Sequence, residues 1–288
     1  MMQLPGGLMV NGERRRDFEF REMTGELERI LCEPSVPKQG YVSSHAERVT
    51  HVLSQILASI GGQSATREVV NALSVGDRQF LMRQLSVYID DRPVWLTAAC
   101  RQCAEKFDVS FRHSELPVKP AGEHYPSWEI AVSLGQVIVC VPTGNDQLAI
   151  AEIVDHQQAM RRLITRLVKR KGCRRQFEAV EPEQLTVEDI ERIEAAAEAM
   201  SPEIATELSA DCPNCHAQNR LTVTPYGCFE RSADTLFHEV HSIAMHYHWS
   251  ERDILSLPST RRQHYLQLID HSRGMADRRH LAHGGLHG

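Results

Sequence analysis

The sequence contains no apolar run approaching the roughly 18 residues a bilayer-spanning helix requires, which excludes an integral membrane protein of the helical kind. Its first residues lack an early basic cluster and lead directly into Arg14, Arg15 and Arg16, so no secretory signal is expected there. Positive charge is not in excess either: the formal net charge is −6, the wrong sign for a general binder of phosphate backbones. Also missing are the Gly-x4-Gly-Lys-Ser/Thr loop, the Gly-x-Ser-x-Gly elbow, the kinase motifs and the Rossmann glycine fingerprint. Thr143-Gly144 therefore reads as a turn opening a helix and not as a phosphate cradle. What remains is a chain of 288 residues, 42% hydrophobic and 24% charged, long enough for one large or two smaller cores without covalent staples. The expected setting is a reducing cytoplasm, where the eight cysteines would be thiols or metal ligands.

The pattern of apolar residues predicts a mainly α protein with a small β component, an α+β chain. A strand is expected over 17–23, followed by a helix carrying Leu27, Ile30 and Leu31 that Pro34 and Pro37 stop. Val49, Val52, Leu53, Ile56, Leu57 and Ile60 fall at helical spacing, predicting a helix over 44–60 closed by Gly61-Gly62. Phe80, Leu81 and Leu85 predict another over 77–89. A hairpin is expected around Gly135, then a long helix over 146–171. Thr186 with Asp189, and Ser250 with Asp253, have the spacing of capping boxes. A last helix over 259–271 precedes a Gly- and His-rich tail expected to be disordered.

Chemistry concentrates in the cysteines. Leu-x-Ala-x-Cys-x-x-Cys occurs twice, and a constant shift of 112 residues carries Leu96 onto Leu208, Ala98 onto Ala210, Cys100 onto Cys212 and Cys103 onto Cys215. Val109 and Phe111 fall on Leu221 and Val223, so a whole strand-knuckle-strand unit repeats. Two such halves about a pseudo-twofold axis would bring four thiolates to the corners of a tetrahedron, the closed structural coordination that Zn2+ prefers. Two CxxC disulfides would each close a tiny loop and restrain little, and a redox CxxC belongs at the start of a helix. A ribbon without metal, or an iron centre, would also fit the pattern. The expected ligands are Cys100, Cys103, Cys212 and Cys215, with all four positions taken by sulfur and none left for water or substrate. Metal binding energy would then be folding energy, so losing either knuckle is expected to unfold the connection between the N- and C-terminal helical parts. Cys32, Cys140, Cys173 and Cys228 read as buried or idle thiols, Cys228 being the one placed to substitute as a ligand.

Other features have bland readings. "HEVH" at 238–241 has histidines three apart where a zinc protease needs four, so a histidine-rich helix face is expected and catalysis is not. The basic run from Arg161 to Arg175 (Arg161, Arg162, Arg166, Lys169, Arg170, Lys171, Arg174, Arg175) reads as the solvated end of a helix or a face for an acidic protein, ahead of nucleic acid. Tyr247, Trp249, Tyr265, Arg261 and Arg262 are residue types common at interaction hot spots, with core packing as the competing explanation.

"FREMTGELERIL", "LSVGDRQFLMRQLSVYIDDRPVWLTAACRQCAEKFDVSFRHSELPV", "VCVPTGNDQ", "CPNCHAQNRLTVTPYGCF" and "HEVHSIAMHYHWSERDILSLPSTRRQHYLQLI" occur in that order. Over residues 17–270 this resembles the T-even-type baseplate hub assembly family of contractile phage tails, with relatives in phage-like contractile injection systems. The resemblance implies a non-enzymatic hub component or assembly factor, with Cys100, Cys103, Cys212 and Cys215 matching the family's paired knuckles. It implies hub, spike, tape-measure or other baseplate proteins as partners; no membrane and no small-molecule substrate are expected, and the net charge argues against nucleic acid as a partner. The place of action would be the bacterial host cytoplasm during assembly, or the baseplate of the particle. Two further roles compete with it: a tape-measure chaperone absent from the mature particle, and a zinc-ribbon nucleic-acid module. The expected organisation is a flexible N-terminus (1–16), a helical region (17–95), a first zinc-knuckle hairpin (96–118), a hairpin-plus-helix insertion (119–207), a second knuckle hairpin (208–228), a C-terminal helical region (229–272) and the tail (273–288).

Overall fold

The computed structural model describes residues 2–32, 44–171, 177–230, 232–272 and 274. It is a mixed α+β protein, 46% helix and 28% strand over the described residues, so the strand share is larger than a mainly α reading allows. The chain divides into two compact units, one from residues 1–19 and 37–228, the other from residues 20–36 and 229–288.

The first unit begins with a hairpin, β1 (Met2–Val10) and β2 (Glu13–Phe20), where a flexible N-terminus was expected. Asn11-Gly12 makes the turn with φ of 52° and 82°, the left-handed pair that a two-residue type I′ hairpin needs. The register shifts between Gln3 and Leu8, and the Gly6 and Gly7 amides of this bulge donate to the Asp77 carboxylate at 2.7 and 3.0 Å. Arg14 and Arg16 donate back to the carbonyls of Gly6 and Leu4, which explains two of the three arginines in this strand, while Arg15 pairs with Glu13 at the surface.

After α1 (Gly25–Cys32), which belongs to the second unit, α2 (His45–Ile56) starts on a Ser44 cap and stops short of the expected Ile60. Leu57–Ile60 is instead β3, which turns through Gly61-Gly62 into β4 (Gln63–Ser64). Both glycines have positive φ, so the pair is a hairpin turn and not a helix stop. The four strands form one sheet in the order β1-β2-β3-β4, so the 17–95 region is not simply helical. Thr66 caps α3 (Arg67–Ala72) and Ser74 caps α4 (Val75–Ile89). Val52, Leu53, Ile56, Leu73, Leu81 and Leu85 are wholly buried here, each worth about 1.5–3 kcal/mol in removal from water.

Two hairpins then carry the paired cysteines: β5 (Val94–Ala99) with β6 (Lys106–Phe111), and β13 (Glu207–Asp211) with β14 (Gln218–Thr222). Between them, β7 (Val118–Lys119) pairs with β12 (Glu203–Ile204), bringing the two ends of the insertion together. The insertion holds β8 (Ser127–Val132), β9 (Gly135–Cys140), α5 (Gly144–Ile150), α6 (His156–Leu167), β10 (Val168–Lys171), β11 (Phe177–Ala179) and α7 (Val187–Met200). Its sheet runs β11-β10-β9-β8, with Val168 opposite Val139.

The single helix expected over 146–171 is thus two helices and a strand. Asp155 accepts from the Gln157 amide and restarts the helix, while Val168, fully buried, is drawn into the sheet. Val137, Val139, Val168, Val180, Ile193 and Met200 form this core. The capping box at Thr186 and Asp189 is present as expected.

The second unit combines α1 with α8 (Ala233–Tyr247), α9 (Glu251–Leu255) and α10 (Ser259–Ser272). Leu236, Val240, Ile243, Ile254, Leu255 and Ile269 are its core. Arg262, wholly buried, binds Glu28 at 2.8 Å and Glu239 at 2.9 Å and donates to the Leu257 carbonyl. Pro34, Pro37, Cys173, Arg174, Arg175 and, apart from Gly274, the expected tail lie outside the described residues. Among the described residues, no helix is long and apolar enough to cross a membrane.

Candidate metal centre

Each knuckle is a tight turn closed by its own backbone. The Cys100 amide donates to the Glu105 carbonyl at 2.8 Å and the Ala104 amide to the Cys100 carbonyl at 2.9 Å. The second copy repeats both: Cys212 to Ala217 at 2.9 Å and His216 to Cys212 at 2.9 Å. Ala104 and His216, each following the second cysteine of its pair, both take φ of 60°. In each turn this left-handed residue, placed after both cysteines, bends the chain toward its returning strand.

The hairpins meet through their inward faces. Phe107, Ala98, Val109, Ala210 and Ala217 surround the cysteines, and Phe111, Leu116, Val223, Leu96 and Leu208 pack at the roots of the strands. The Cys100 and Cys215 sulfurs come to 3.6 Å and those of Cys103 and Cys212 to 3.7 Å. All four sulfurs lie within 4.8 Å of one another. These are too long for disulfide bonds, and the cysteines are free thiols. Among the described residues this is the one group of three or more His, Cys, Asp or Glu side chains able to hold a metal ion, and it comprises the four cysteines expected from the repeat.

The thiols are electrostatically unequal. The backbone amides of Cys103 and Gln102 hold Cys100 down at about 6, helped by Asn219 and Cys215 and opposed by burial. Cys215 is pushed up to about 12: the Ala217 amide pulls it down, but burial and hydrogen bonds with Cys103, Cys100 and Cys212 outweigh that pull. Four sulfurs this close cannot all ionise unaided, because each negative charge opposes the next. A cation among them removes that opposition.

One contributor was not anticipated from the sequence. Asn219, only 2% exposed, accepts from the Arg101 amide at 2.9 Å and donates to the Cys100 sulfur at 3.6 Å and to the Ala217 carbonyl at 2.8 Å. Asn214 donates to the Cys103 sulfur at 3.7 Å. The repeat itself held the clue. Its shift of 112 sets Asn219 against Phe107, so a polar residue occupies an inward-facing position that is aromatic in the other copy.

The remaining expectations resolve individually. Cys228 is buried with its sulfur 3.9 Å from the Met82 carbonyl, and it is not one of the four clustered thiols. Cys140 is half-buried, and its surroundings raise its thiol above the usual range, chiefly through burial. In "HEVH", Glu239 accepts from Arg262 and Gln263, which commits it to the helix packing of the second unit. Arg262, a hot-spot candidate, is in that core as well, while Tyr247 stacks on Trp249 and Tyr265 meets both edge-on, with ring centroids 5.0–5.5 Å apart. Within the basic run, Arg161, Arg166 and Arg170 pair with Glu183, Asp146 and Glu178, so these three charges are balanced locally. No protein family, curated protein or solved structure matches this chain.

Proposed function

We propose that the four thiols hold a structural Zn2+ and that the chain is a non-enzymatic assembly protein stabilised by that ion. The observation carrying this reading is the convergence of Cys100, Cys103, Cys212 and Cys215. A tetrahedron of sulfurs 2.3 Å from a zinc ion has edges of roughly 3.8 Å. The 3.6 and 3.7 Å cross-hairpin spacings are close to that geometry before any adjustment. Four thiolates complete the coordination, so the ion would have no open position for water or substrate, and its work would be to join the hairpins into a zinc ribbon.

The assembly role comes from the resemblance of the ordered segments between residues 17 and 270 to the baseplate hub family. The chain is accordingly read as a hub component or assembly factor of a contractile phage tail or phage-like contractile injection system. Its partners would be hub, spike or tape-measure proteins.

Two measurements test the two halves. Metal analysis of freshly purified protein is expected to find about one zinc per chain. No metal, with four freely reactive thiols, would remove the ribbon. Co-expression with sheath, tube, hub and spike proteins from the same gene neighbourhood should yield a co-purifying partner. Mass spectrometry of finished particles then separates a retained component from a chaperone that departs. Failure to bind any of them, or a neighbourhood without tail genes, would defeat the baseplate reading.

A further inference from the structure

The two knuckles repeat each other in backbone but not in what reaches their sulfurs. Both asparagines that touch the centre belong to the second knuckle and its returning strand, and both aim at sulfurs of the first: Asn214 at Cys103 and Asn219 at Cys100. The shift that relates the copies places Gln102 and Phe107 at the equivalent positions. The Asn219 amide has a fixed orientation, because its oxygen must face the Arg101 N–H and its nitrogen the Ala217 carbonyl. One N–H of that nitrogen is thereby directed at the Cys100 sulfur.

We propose that Asn219, assisted by Asn214, is a positioning residue that holds the first knuckle's sulfurs for the ion through its N–H donors and determines how tightly the ion is retained. The inference rests on reading the four thiols as a metal site. A divalent ion with four thiolates carries a net charge of −2, and N–H donors aimed at the sulfurs offset part of it. Partners of this kind outside the ligand shell typically change metal affinity by about 10–100-fold. Asn219 also holds the Arg101 amide, and so could act through the backbone alone. The two roles predict different outcomes for one substitution.

Asn219→Asp keeps an oxygen for the Arg101 amide, has no N–H to give, and sets a negative charge against the sulfurs. Asn219→Ala removes both functions. The test is to titrate Co2+ into the full-length, metal-stripped protein, follow the sulfur-to-cobalt charge-transfer absorption, and compete the ion away with a chelator. Folding is checked by circular dichroism. Asn219→Asp is expected to lose Co2+ at least as readily as Asn219→Ala, each by about 10–100-fold, with a shifted charge-transfer band. Wild-type retention by Asn219→Asp would overturn the proposal and leave Asn219 as a backbone prop. Should the buried substitutions fail to fold, Asn214→Asp at an exposed position serves. It is expected to release Co2+ several-fold faster, and an unchanged rate would overturn the proposal equally. A wild-type protein that takes up no Co2+ would instead defeat the metal reading itself.

Discussion

Stripping the proposed ion from the four thiols is the perturbation with the largest expected effect. The Cys103–Cys212 contact joins positions 109 residues apart. Closing a loop of that length removes about 5 kcal/mol of chain entropy from the unfolded state, by the relation used for cross-links. For a unit of 150–250 residues, 1 kcal/mol corresponds to about 2–4 °C, so metal removal should lower the melting temperature of the first unit by roughly 10–20 °C. The loss should begin locally. Phe111, Leu116, Val223, Leu96 and Leu208 still pack at the roots of the hairpins, so the strands should stay together below the knuckles. This narrows the expectation that losing a knuckle unfolds everything it connects. Hydrogen exchange with and without chelator should therefore show deprotection first at the Cys100, Ala104, Cys212 and His216 amides, which close the two turns. If protein verified as metal-free melts where the loaded protein does, the ion is not a clip and the reasoning fails.

Arg262→Met should leave Glu28 and Glu239 buried without a cation and destabilise the second unit by about 3–5 kcal/mol, read by thermal unfolding and by proteolysis of residues 233–272. Cys228→Ser should leave the metal content unchanged, since that sulfur faces the Met82 carbonyl; a loss of metal would show that Cys228 serves the centre after all. Asp189 is held well below the usual carboxylate range, first by the Ser133 hydroxyl and then by the Ser133 amide and Thr186. Its folded value is depressed, so its contribution is present above the unfolded carboxylate range near about 4 and is lost as pH falls toward the folded value. Acid unfolding of Asp189→Asn should accordingly be less steep with pH than that of the wild type.

The legible parts of this fold are those where local chemistry and tertiary demand agree. The cap at Ser250 and the box at Thr186 could be placed because each side chain satisfies amides within three residues. The cysteine group could be placed because the thiol pair repeats together with its flanking strand residues, a pattern that brings four sulfurs to one point. The errors arose where two readings share one pattern. Leu57 and Ile60 continue the helical stripe of α2, yet they are also the two buried ends of a four-residue strand. The Asn11-Gly12 turn lies in a segment expected to be a flexible N-terminus, with Arg14 and Arg16 close beside it. Their destination was the carbonyls of the bulge, which no local rule reveals. The basic run hid a strand because, among its described residues, Val168 alone is fully buried, and its cross-strand partner, Val139, lies in another hairpin. Asn219 was missed for a related reason, since its role exists only after distant turns have met.

The Arg262 triad has a consequence for synthesis of the chain. Glu28 is made early, and the guanidinium that neutralises it follows 234 residues later. At about 5–20 residues per second, a ribosome needs roughly ten to fifty seconds to cover that interval. Throughout it, the first helix of the second unit waits with its carboxylate and apolar face unmatched, while the whole first unit emerges and can close. A nascent chain stalled before residue 262 would therefore present α1 to chaperones and proteases, and the second unit is the last of the two able to fold.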